Sequence, residues 1–297
     1  MEKYWSKDFY NPNAIYEEGV RVKKDVDEYR TKIARILGVA KETIIFTSGG
    51  TEANTWAVRG VKPGRIVIEP DSHPSVAEAA KGITGRETTL VSSVTIDNKL
   101  GRKIREERKK GNTKFPLLHV DASQTAAYFN VGLETLSCDL LTLDSAKLYG
   151  PKGIGALVVR KGVALTVPPL GTPAVPLIAG FVKALEIAVR DREVERKRLH
   201  SLSAQFVANI RRSLHEAEII LNEPNIINIS VPRIMSEFLV LALDRVGVLI
   251  SAGHACNSNK PEPPDTPVRV SLGRFTTKQE VGKASEIFCR TVRNMLK

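Results

Sequence analysis

The sequence predicts an α/β fold of two domains, a large one built on a mostly parallel sheet and a smaller α+β one. Short apolar segments alternate with helical segments through the first part of the chain, and this alternation is typical of parallel sheets. The pattern changes near residue 190, where a long helical stretch leads into a second group of strands and helices. With 297 residues the chain has room for about two domains, which we place at 1–190 and 191–297.

The first domain is predicted to open with a helix over 16–37, where Val22, Val26 and Ile33 recur at helical spacing. Strands and helices then alternate. The predicted strands are 44–46, 65–69, 88–92, 117–120, 140–143 and 156–159. The predicted helices between them are 52–59, 73–83 and 101–111.

The second domain is expected to follow from a long helix over 174–214, in which an apolar residue recurs every fourth position from Leu202 to Leu214. The charged stretch 190–198 within it indicates a solvated surface. The remaining predicted strands are 218–221, 226–231, 248–251 and 268–271, and the remaining helices are 235–246 and 277–296.

Composition excludes several classes of protein. A hydrophobic content of 42% excludes a mainly disordered chain, and the apolar runs are far shorter than the roughly 20 residues of a membrane-spanning helix. The first eight residues carry charges where a signal peptide needs an apolar core, so we expect a cytoplasmic protein. The formal net charge of +11 favours an anionic partner or simply confers solubility, and both readings stay open.

Two residues that follow predicted strands carry the first indication of chemistry. Lys147 lies between an apolar strand and the glycine-rich turn 150–155, where α/β sheets bind ligands, and a lysine there can form a Schiff base with a carbonyl cofactor. Asp121 ends another strand, where a carboxylate can pair with the pyridine nitrogen of pyridoxal phosphate. The simpler alternatives are a surface lysine and a helix N-cap.

A glycine-rich turn is a third feature. Residues 48–51, Ser-Gly-Gly-Thr, separate a strand from a helix, so that Gly50 offers backbone N–H groups at a helix N-terminus and Thr51 adds a hydroxyl. That arrangement suits a phosphate group. An ordinary capped turn between strand and helix would have the same sequence.

Taken together and in order, these motifs resemble the cysteine desulfurases of the class V aminotransferase group, enzymes of PLP fold type I. The segments that carry the resemblance are TSGGTEAN at 47–54, His73, VDASQ at 120–124, SAKLYGPKGIGAL at 145–157 and SLGRFTT at 271–277. The resemblance runs from about Asn11 to the C-terminal helix.

The resemblance implies a role for each matching position, with pyridoxal 5'-phosphate as cofactor, no metal, and L-cysteine as substrate. Lys147 would be the Schiff-base lysine and His73 a ring-stacking histidine that moves protons. The remaining implied cofactor contacts are Asp121 and Gln124 at the ring, Asn98 near the ring hydroxyl and substrate, and Gly50, Thr51 and Ser145 at the phosphate. Arg274 would bind the substrate carboxylate, and Thr172 would reach the phosphate of a neighbouring subunit, which implies a homodimer.

Cysteine usage separates one residue from the other two. Cys256 lies in a polar, proline-rich segment, whereas Cys138 and Cys289 lie in apolar contexts typical of a core. In the resemblance Cys256 is the thiol that takes sulfur from the substrate and becomes a persulfide.

The chain departs from the family where it would hold the phosphate. Ala146 replaces the histidine that usually precedes the lysine, and Pro169–Leu170 replace an Arg-Ser pair. The N-terminal strand of the family is absent and the segment after His73 is short, so the chain is a trimmed member.

The sequence thus predicts a cysteine desulfurase that passes sulfur to an acceptor protein for iron–sulfur cluster assembly or tRNA thiolation. Two alternatives remain. One is a lyase acting on selenocysteine or cysteine sulfoxides, which would not need Cys256. The other is a non-catalytic scaffold that binds a sulfur-assembly partner or RNA, for instance through the basic segment 101–111, although an exposed helix is the simpler reading of that segment. The pairing of Lys147 with Asp121 argues against a scaffold.

Overall fold

A computed structural model of the protein describes residues 1–168, 171–222, 224–253 and 266–297. These residues divide into two units, Met1–Arg192 and Glu193–Lys297. The first unit has the α/β architecture that the sequence predicts, and the second combines an antiparallel sheet with helices.

Six strands and four helices lie entirely within the first unit. The strands are β1 (Ile44–Thr47), β2 (Arg65–Ile68), β3 (Thr88–Ser93), β4 (Leu117–Asp121), β5 (Leu140–Asp144) and β6 (Gly155–Val159). The helices are α1 (Glu17–Leu37), α2 (Gly50–Arg59), α3 (Pro74–Ala80) and α4 (Lys99–Lys110). Three short 3-10 turns, Glu2–Trp5, Lys41–Thr43 and Ala146–Leu148, complete the set. The long helix α5 (Val175–Ser213) contains the division between the two units.

The sheet has the strand order β1-β6-β5-β4-β3-β2. The neighbours from β2 to β5 are parallel, whereas β6 is antiparallel to both β5 and β1. Strands β1 to β5 therefore all run in one direction, and their carboxyl ends meet at one edge of the sheet. The register places Asp121 opposite Thr142 and Asp144 opposite Gly155. Residues that follow these strand ends form the candidate site.

Helices α2 and α3 are held to this sheet by an apolar cluster. Small residues of α2, Ala53 and Ala57, are completely buried and share the cluster with Leu90, Leu140 and Leu157 of the sheet. Because alanine adds little bulk, α2 approaches the strands closely and its N-terminus is fixed at the carboxyl edge. The packing of the sheet thereby sets the position of the glycine turn.

The second unit is built around a four-stranded antiparallel sheet. Its strands are β7 (Glu218–Asn222), β8 (Ile226–Ser230), β9 (Ser251–Ala252) and β10 (Val268–Ser271), in the order β7-β8-β10-β9. Its helices are α6 (Ser236–Asp244) and α7 (Lys278–Met295), and a capping box between Thr277 and Glu280 starts α7. The predicted stripe is confirmed at Leu202, Phe206 and Ile210, which are buried.

The strand predicted over 248–251 is wrong for most of its length. Only Ser251–Ala252 pair with β10, while Gly247 adopts a left-handed φ of +81° and the Val248 N–H bonds to the Leu243 carbonyl. The chain there forms a turn that closes α6, and Leu249 is 81% exposed. An apolar run by itself did not distinguish this turn from a strand. No helix in the described part of the chain has the length and apolar character that a membrane crossing requires.

Candidate functional site

The centre of the candidate site is Asp121, the last residue of β4. Its Oδ1 accepts a hydrogen bond from the Ser123 N–H (3.0 Å), and its Oδ2 accepts one from Nδ2 of Asn54 in α2 (2.7 Å). Two donors on different elements therefore fix the orientation of this carboxylate. Two neighbouring polar atoms, Asn54 Oδ1 and Ser123 Oγ, are buried and have no hydrogen-bond partner within the described residues. Polar atoms of that kind are typical of a site that a ligand completes.

A chain of hydrogen bonds links Asp121 to the predicted histidine. Asn54 donates its second N–H to Ser75 Oγ (3.0 Å), and Ser75 Oγ lies 2.7 Å from Nδ1 of His73, the N-cap of α3. His73 Nδ1 also accepts the Ser75 N–H (3.1 Å). Because Nδ1 is an acceptor here, a neutral His73 ring carries its proton on Nε2. The structure thus brings His73 and Asp121 into one network through Asn54 and Ser75.

A second histidine lies beneath this network. His119, two residues before Asp121 in β4, is fully buried between Ser92 of β3 and Thr142 of β5. Its Nδ1 and Nε2 are each 2.9 Å from those hydroxyl oxygens. Burial lowers the pKa of His119 to about 4, although the negative charge of Asp121 opposes the shift. The ring is therefore neutral near pH 7, and it ties three strands together below the site.

The neighbouring strand β5 also ends in an aspartate. Asp144 Oδ2 accepts the N–H of Gly50, the first residue of α2 (2.9 Å), and its Oδ1 accepts the Ala146 N–H (2.8 Å). Asp144 thus caps both α2 and the short turn that carries Lys147. The predicted phosphate-binding glycine turn lies at the expected edge of the sheet, but a carboxylate of the same chain is bonded to it.

The other predicted residues of the first unit differ in exposure. The side chains of Lys147, Thr51, Gln124 and Thr172 are exposed. Ser145 is fully buried, and its Oγ has no hydrogen-bond partner within the described residues. At the β5 terminus Asp144 is the residue that bonds to the start of α2. Residues 147, 51 and 124 all follow carboxyl ends of strands.

Asn98 and Thr172 lie at the borders of this region. Asn98 is the half-exposed N-cap of α4, the helix that follows β3. Thr172 lines a cavity of about 250 Å³ together with Ser48 and Glu52 at the start of α2. Arg30 lines the same cavity, but its guanidinium also donates to the Ile44 carbonyl and lies 4.7 Å from the centre of the Phe46 ring.

Arg274 belongs to the second unit, in the turn before α7. Arg198 of α5 holds this turn, because its guanidinium donates to the carbonyls of Gly273 (3.0 Å), Arg274 (2.9 Å) and Thr276 (2.7 Å). Glu195 pairs with Arg198 at 2.7 Å. The backbone that carries the predicted substrate-binding arginine is therefore fixed by a second arginine.

The three cysteines fall into two groups. Cys138 and Cys289 are buried, as predicted. Burial raises the pKa of Cys138 to about 12 and also raises that of Cys289, so both thiols stay protonated near pH 7. Cys256 lies outside the described residues, as do Pro169 and Leu170.

Sequence reasoning missed four residues of this site: Asn54, Ser75, His119 and Asp144. For two of them a signal was present. His119 is two residues from Asp121, and alternate residues of a strand share a face. Asp144 ends its strand as Asp121 does. The bond between Asn54 and Asp121 joins residues 67 positions apart, which no local pattern reveals.

Comparison with known families identifies the class of protein. The family model "Aminotransferase class-V" matches residues 1–110, 66–170 and 169–283, so the chain belongs to this family. Enzymes of this family and their cysteine desulfurase members depend on pyridoxal 5'-phosphate, which confirms the predicted cofactor.

Similar curated proteins narrow the identification. A cysteine desulfurase IscS of Dictyoglomus turgidum is 29% identical over 360 aligned positions, which cover 99% of this chain and 90% of the relative. One of Rickettsia akari is also 29% identical and covers 100% and 88% respectively. Because 360 positions exceed the 297 residues of this chain, the relative carries segments that this chain lacks. The prediction of a trimmed, PLP-dependent enzyme of cysteine desulfurase type is confirmed.

Solved structures support the fold. A NifS-like protein superposes with a TM-score of 0.84 at 25% identity and covers 99% of this chain and 93% of its own. A cysteine desulfurase of Thermococcus onnurineus NA1 gives 0.80 at 19% identity, covering 99% and 90%. PLP fold type I is thereby confirmed.

The residues of the first unit fit two of the three functional parts of this cofactor, namely the ring nitrogen and the carbonyl carbon. Asp121 offers an oriented carboxylate for a ring nitrogen, with unpartnered polar atoms beside it. Lys147 offers an exposed amine at the end of the adjacent strand. The third part, the phosphate, is different, since the backbone donor that it would use at Gly50 is bonded to Asp144.

Proposed function

We propose that the protein removes sulfur from L-cysteine, releases L-alanine and holds the sulfur as a persulfide on Cys256. One observation of the structure supports a catalytic site above all others. The network from His73 through Ser75 and Asn54 orients the carboxylate of Asp121 beside the strand that leads to Lys147. Such an arrangement suits proton transfer next to a positively charged ring.

The cofactor, when bound, supplies an electron-withdrawing ring and a carbonyl carbon that takes amines. Lys147 is proposed to bind that carbon and then to move protons at the substrate carbons. Asp121 would keep a proton on the ring nitrogen by accepting its hydrogen bond. His73, whose Nδ1 is engaged by Ser75, would present Nε2–H toward the ring. The substrate carboxylate is assigned to Arg274, whose planar fork suits it.

Sulfur transfer is assigned to Cys256. Its thiolate would attack the substrate Sγ, so that a new S–S bond forms while the Cβ–Sγ bond breaks and its electron pair stays with the substrate carbon. Protonation of that carbon gives alanine, and the two sulfur atoms remain on Cys256 as a persulfide. The buried thiols of Cys138 and Cys289 have raised pKa values, which disfavours them for this step.

The finer assignments are proposals as well. Gln124, Asn98, Thr51 and Ser145 are proposed to complete the cofactor pocket, whereas the N–H of Gly50 is bonded to Asp144. Thr172 would reach the site of a second subunit, so we infer a homodimer, and sedimentation that shows a fully active monomer would contradict it. A cytoplasmic sulfur acceptor would use the persulfide for iron–sulfur cluster assembly or tRNA thiolation.

The test of the function is sulfur transfer in variants that differ only in their cysteines. The wild type, given L-cysteine, should form alanine and carry one extra sulfur, removable by reductant, on the peptide with Cys256. Cys256→Ala should bind cofactor and release almost no sulfide. Cys138→Ala and Cys289→Ala serve as matched controls and should transfer sulfur as the wild type does. If Cys256→Ala desulfurates cysteine at the wild-type rate, a lyase mechanism replaces the persulfide one.

A further inference from the structure

The N-terminus of α2 already holds an anion that belongs to the protein. The Gly50 N–H donates to Asp144 Oδ2 at 2.9 Å, and the same carboxylate accepts the Ala146 N–H at 2.8 Å. These bonds use both oxygens of Asp144, each with a backbone donor. A helix N-terminus attracts one anion because its first N–H groups lack partners within the helix. At Gly50 that requirement is met by Asp144.

A second carboxylate lies in the same turn. Glu52 Oε2 accepts the Ser48 N–H at 2.6 Å. Neither Asp144 nor Glu52 has a salt-bridge partner among the residues that the structure describes. The helix end contributes only about half a positive charge. Arg30 lines the neighbouring cavity with Glu52, but its guanidinium also donates to the Ile44 carbonyl.

The side of Gly50 on which a Cβ would lie also offers little room. A methyl group added at Gly50 would lie 3.0 Å from Ser123 Oγ and 3.2 Å from Asp144 Oδ2. A phosphate group is far larger than a methyl group and carries up to two negative charges. To bond with the Gly50 N–H it would have to displace Asp144 or lie against it. Like charges at such distances repel strongly outside bulk water.

We propose that Asp144, bonded to the Gly50 N–H, acts as a built-in anion that weakens the hold of this chain on the phosphate of its cofactor. Binding then depends on the ring contacts of Asp121 and on Lys147, and the protein discriminates little between pyridoxal phosphate and unphosphorylated pyridoxal. The absence of the usual histidine at Ala146 acts in the same direction. The inference rests on the cofactor site of the proposed function, but not on its sulfur chemistry.

The test is a spectroscopic titration of the cofactor-free protein with pyridoxal phosphate and, separately, with pyridoxal. In the wild type we expect the two affinities to agree within about tenfold. Asp144→Asn keeps the size of the side chain and an acceptor oxygen but removes the charge. It should raise the affinity for pyridoxal phosphate by about tenfold or more and leave that for pyridoxal unchanged.

The matched control is Glu280→Gln, which alters a carboxylate that caps another helix, α7, in the second unit. It should change neither affinity. Wild-type protein that binds pyridoxal phosphate a hundredfold or more tighter than pyridoxal would overturn the proposal, and this measurement needs no variant to fold. An Asp144→Asn protein with unchanged affinities would overturn it as well.

Inorganic phosphate provides an independent probe. It should raise the melting temperature of Asp144→Asn more than that of the wild type, and equal shifts would count against the proposal. Failure of the proposed function is recognised separately, because a protein that never forms a persulfide can still show the predicted affinities. Conversely, sulfur transfer with strong selectivity for pyridoxal phosphate would reject only the role of Asp144.

Discussion

Asp121 and Asp144 end adjacent parallel strands with the same local arrangement, yet they lead to opposite expectations. In each, Oδ1 accepts the N–H of the residue two positions further on. They differ in the partner of Oδ2, which is the side-chain amide of Asn54 for Asp121 and the backbone of Gly50 for Asp144. One carboxylate is held by a side chain that continues into a network, and the other closes a helix end. The second partner, more than the strand-end position, therefore separates the carboxylate that we propose for the cofactor ring from the one that caps a helix.

The largest effect is expected from Lys147, which lies three residues after Asp144. Lys147→Ala should lose covalent attachment of the cofactor, and turnover should fall by about a thousandfold or more, because both amine exchange and proton transfer depend on it. Borohydride reduction followed by mass spectrometry measures attachment. Lys152→Ala, an exposed lysine in the same segment, is the control and should behave as the wild type does. A reducible adduct that persists in Lys147→Ala would show that another residue binds the cofactor.

The comparison itself is tested by making the same change in both aspartates. Asp121→Asn should lower turnover by about a hundredfold, since a neutral partner no longer holds the proton on the ring nitrogen. That loss exceeds the roughly fivefold that one hydrogen bond of about 1 kcal/mol explains. Cofactor affinity should fall in Asp121→Asn and rise in Asp144→Asn. Effects of the same sign on affinity would show that the two strand ends do not differ as proposed.

The network around Asp121 is tested by measuring how much Asn54 contributes to stability. Asn54→Ala removes one hydrogen bond to the Asp121 carboxylate and one to Ser75, which should reduce the stability of the first unit by about 3 kcal/mol. Denaturant unfolding, monitored with a spectroscopic probe in each unit, measures this loss of stability. Asn209→Ala, which removes a single amide–serine bond at 2.9 Å in the second unit, should cost about 1 kcal/mol. Equal losses would mean that the bond from Asn54 to the Asp121 carboxylate contributes nothing to stability.

Much of this site followed from the sequence because strand ends leave local signals. The turn around Gly50, the carboxylate of Asp121 and the position of Lys147 were all predicted, and each lies after a strand at one edge of the sheet. Asn54 was not predicted, since its role comes from the packing of α2 against β4 and β5, a contact between distant parts of the chain. Asp144 was not predicted because its carboxylate bonds to Gly50, which lies near it only in the folded protein.

The same distinction between local signals and contacts of distant residues explains which parts of the fold were predicted. Alternating strands and helices were recognised from apolar spacing, because burial in a parallel sheet produces short apolar runs. The error came at 248–251, where Val248, Leu249 and Ile250 form an equally apolar run in a turn. Leu249 is 81% exposed there, so an apolar run did not by itself indicate a buried strand.

The smallest effect is expected from His119, which lies beneath Asp121 and has no counterpart beneath Asp144. Burial lowers its pKa to about 4 in the folded protein, whereas an unfolded chain has about 6.5. The unfolded state therefore binds a proton first as the pH falls. The stability contributed by the neutral ring is complete above about pH 6.5 and is lost progressively toward pH 4. Between about pH 7 and pH 5 the loss should be about 2 kcal/mol.

Denaturant unfolding of the first unit at these two pH values measures that loss, and His119→Gln should remove this part of the pH dependence. His215→Gln, an exposed histidine of the second unit, is the control and should retain it. A direct measurement is NMR titration of the His119 ring, which should stay neutral down to about pH 5. A ring that protonates near pH 6.5 in the folded protein would mean that water or Asp121 stabilises its charge, and His119 would then belong to the proton-transfer network instead of the support beneath it.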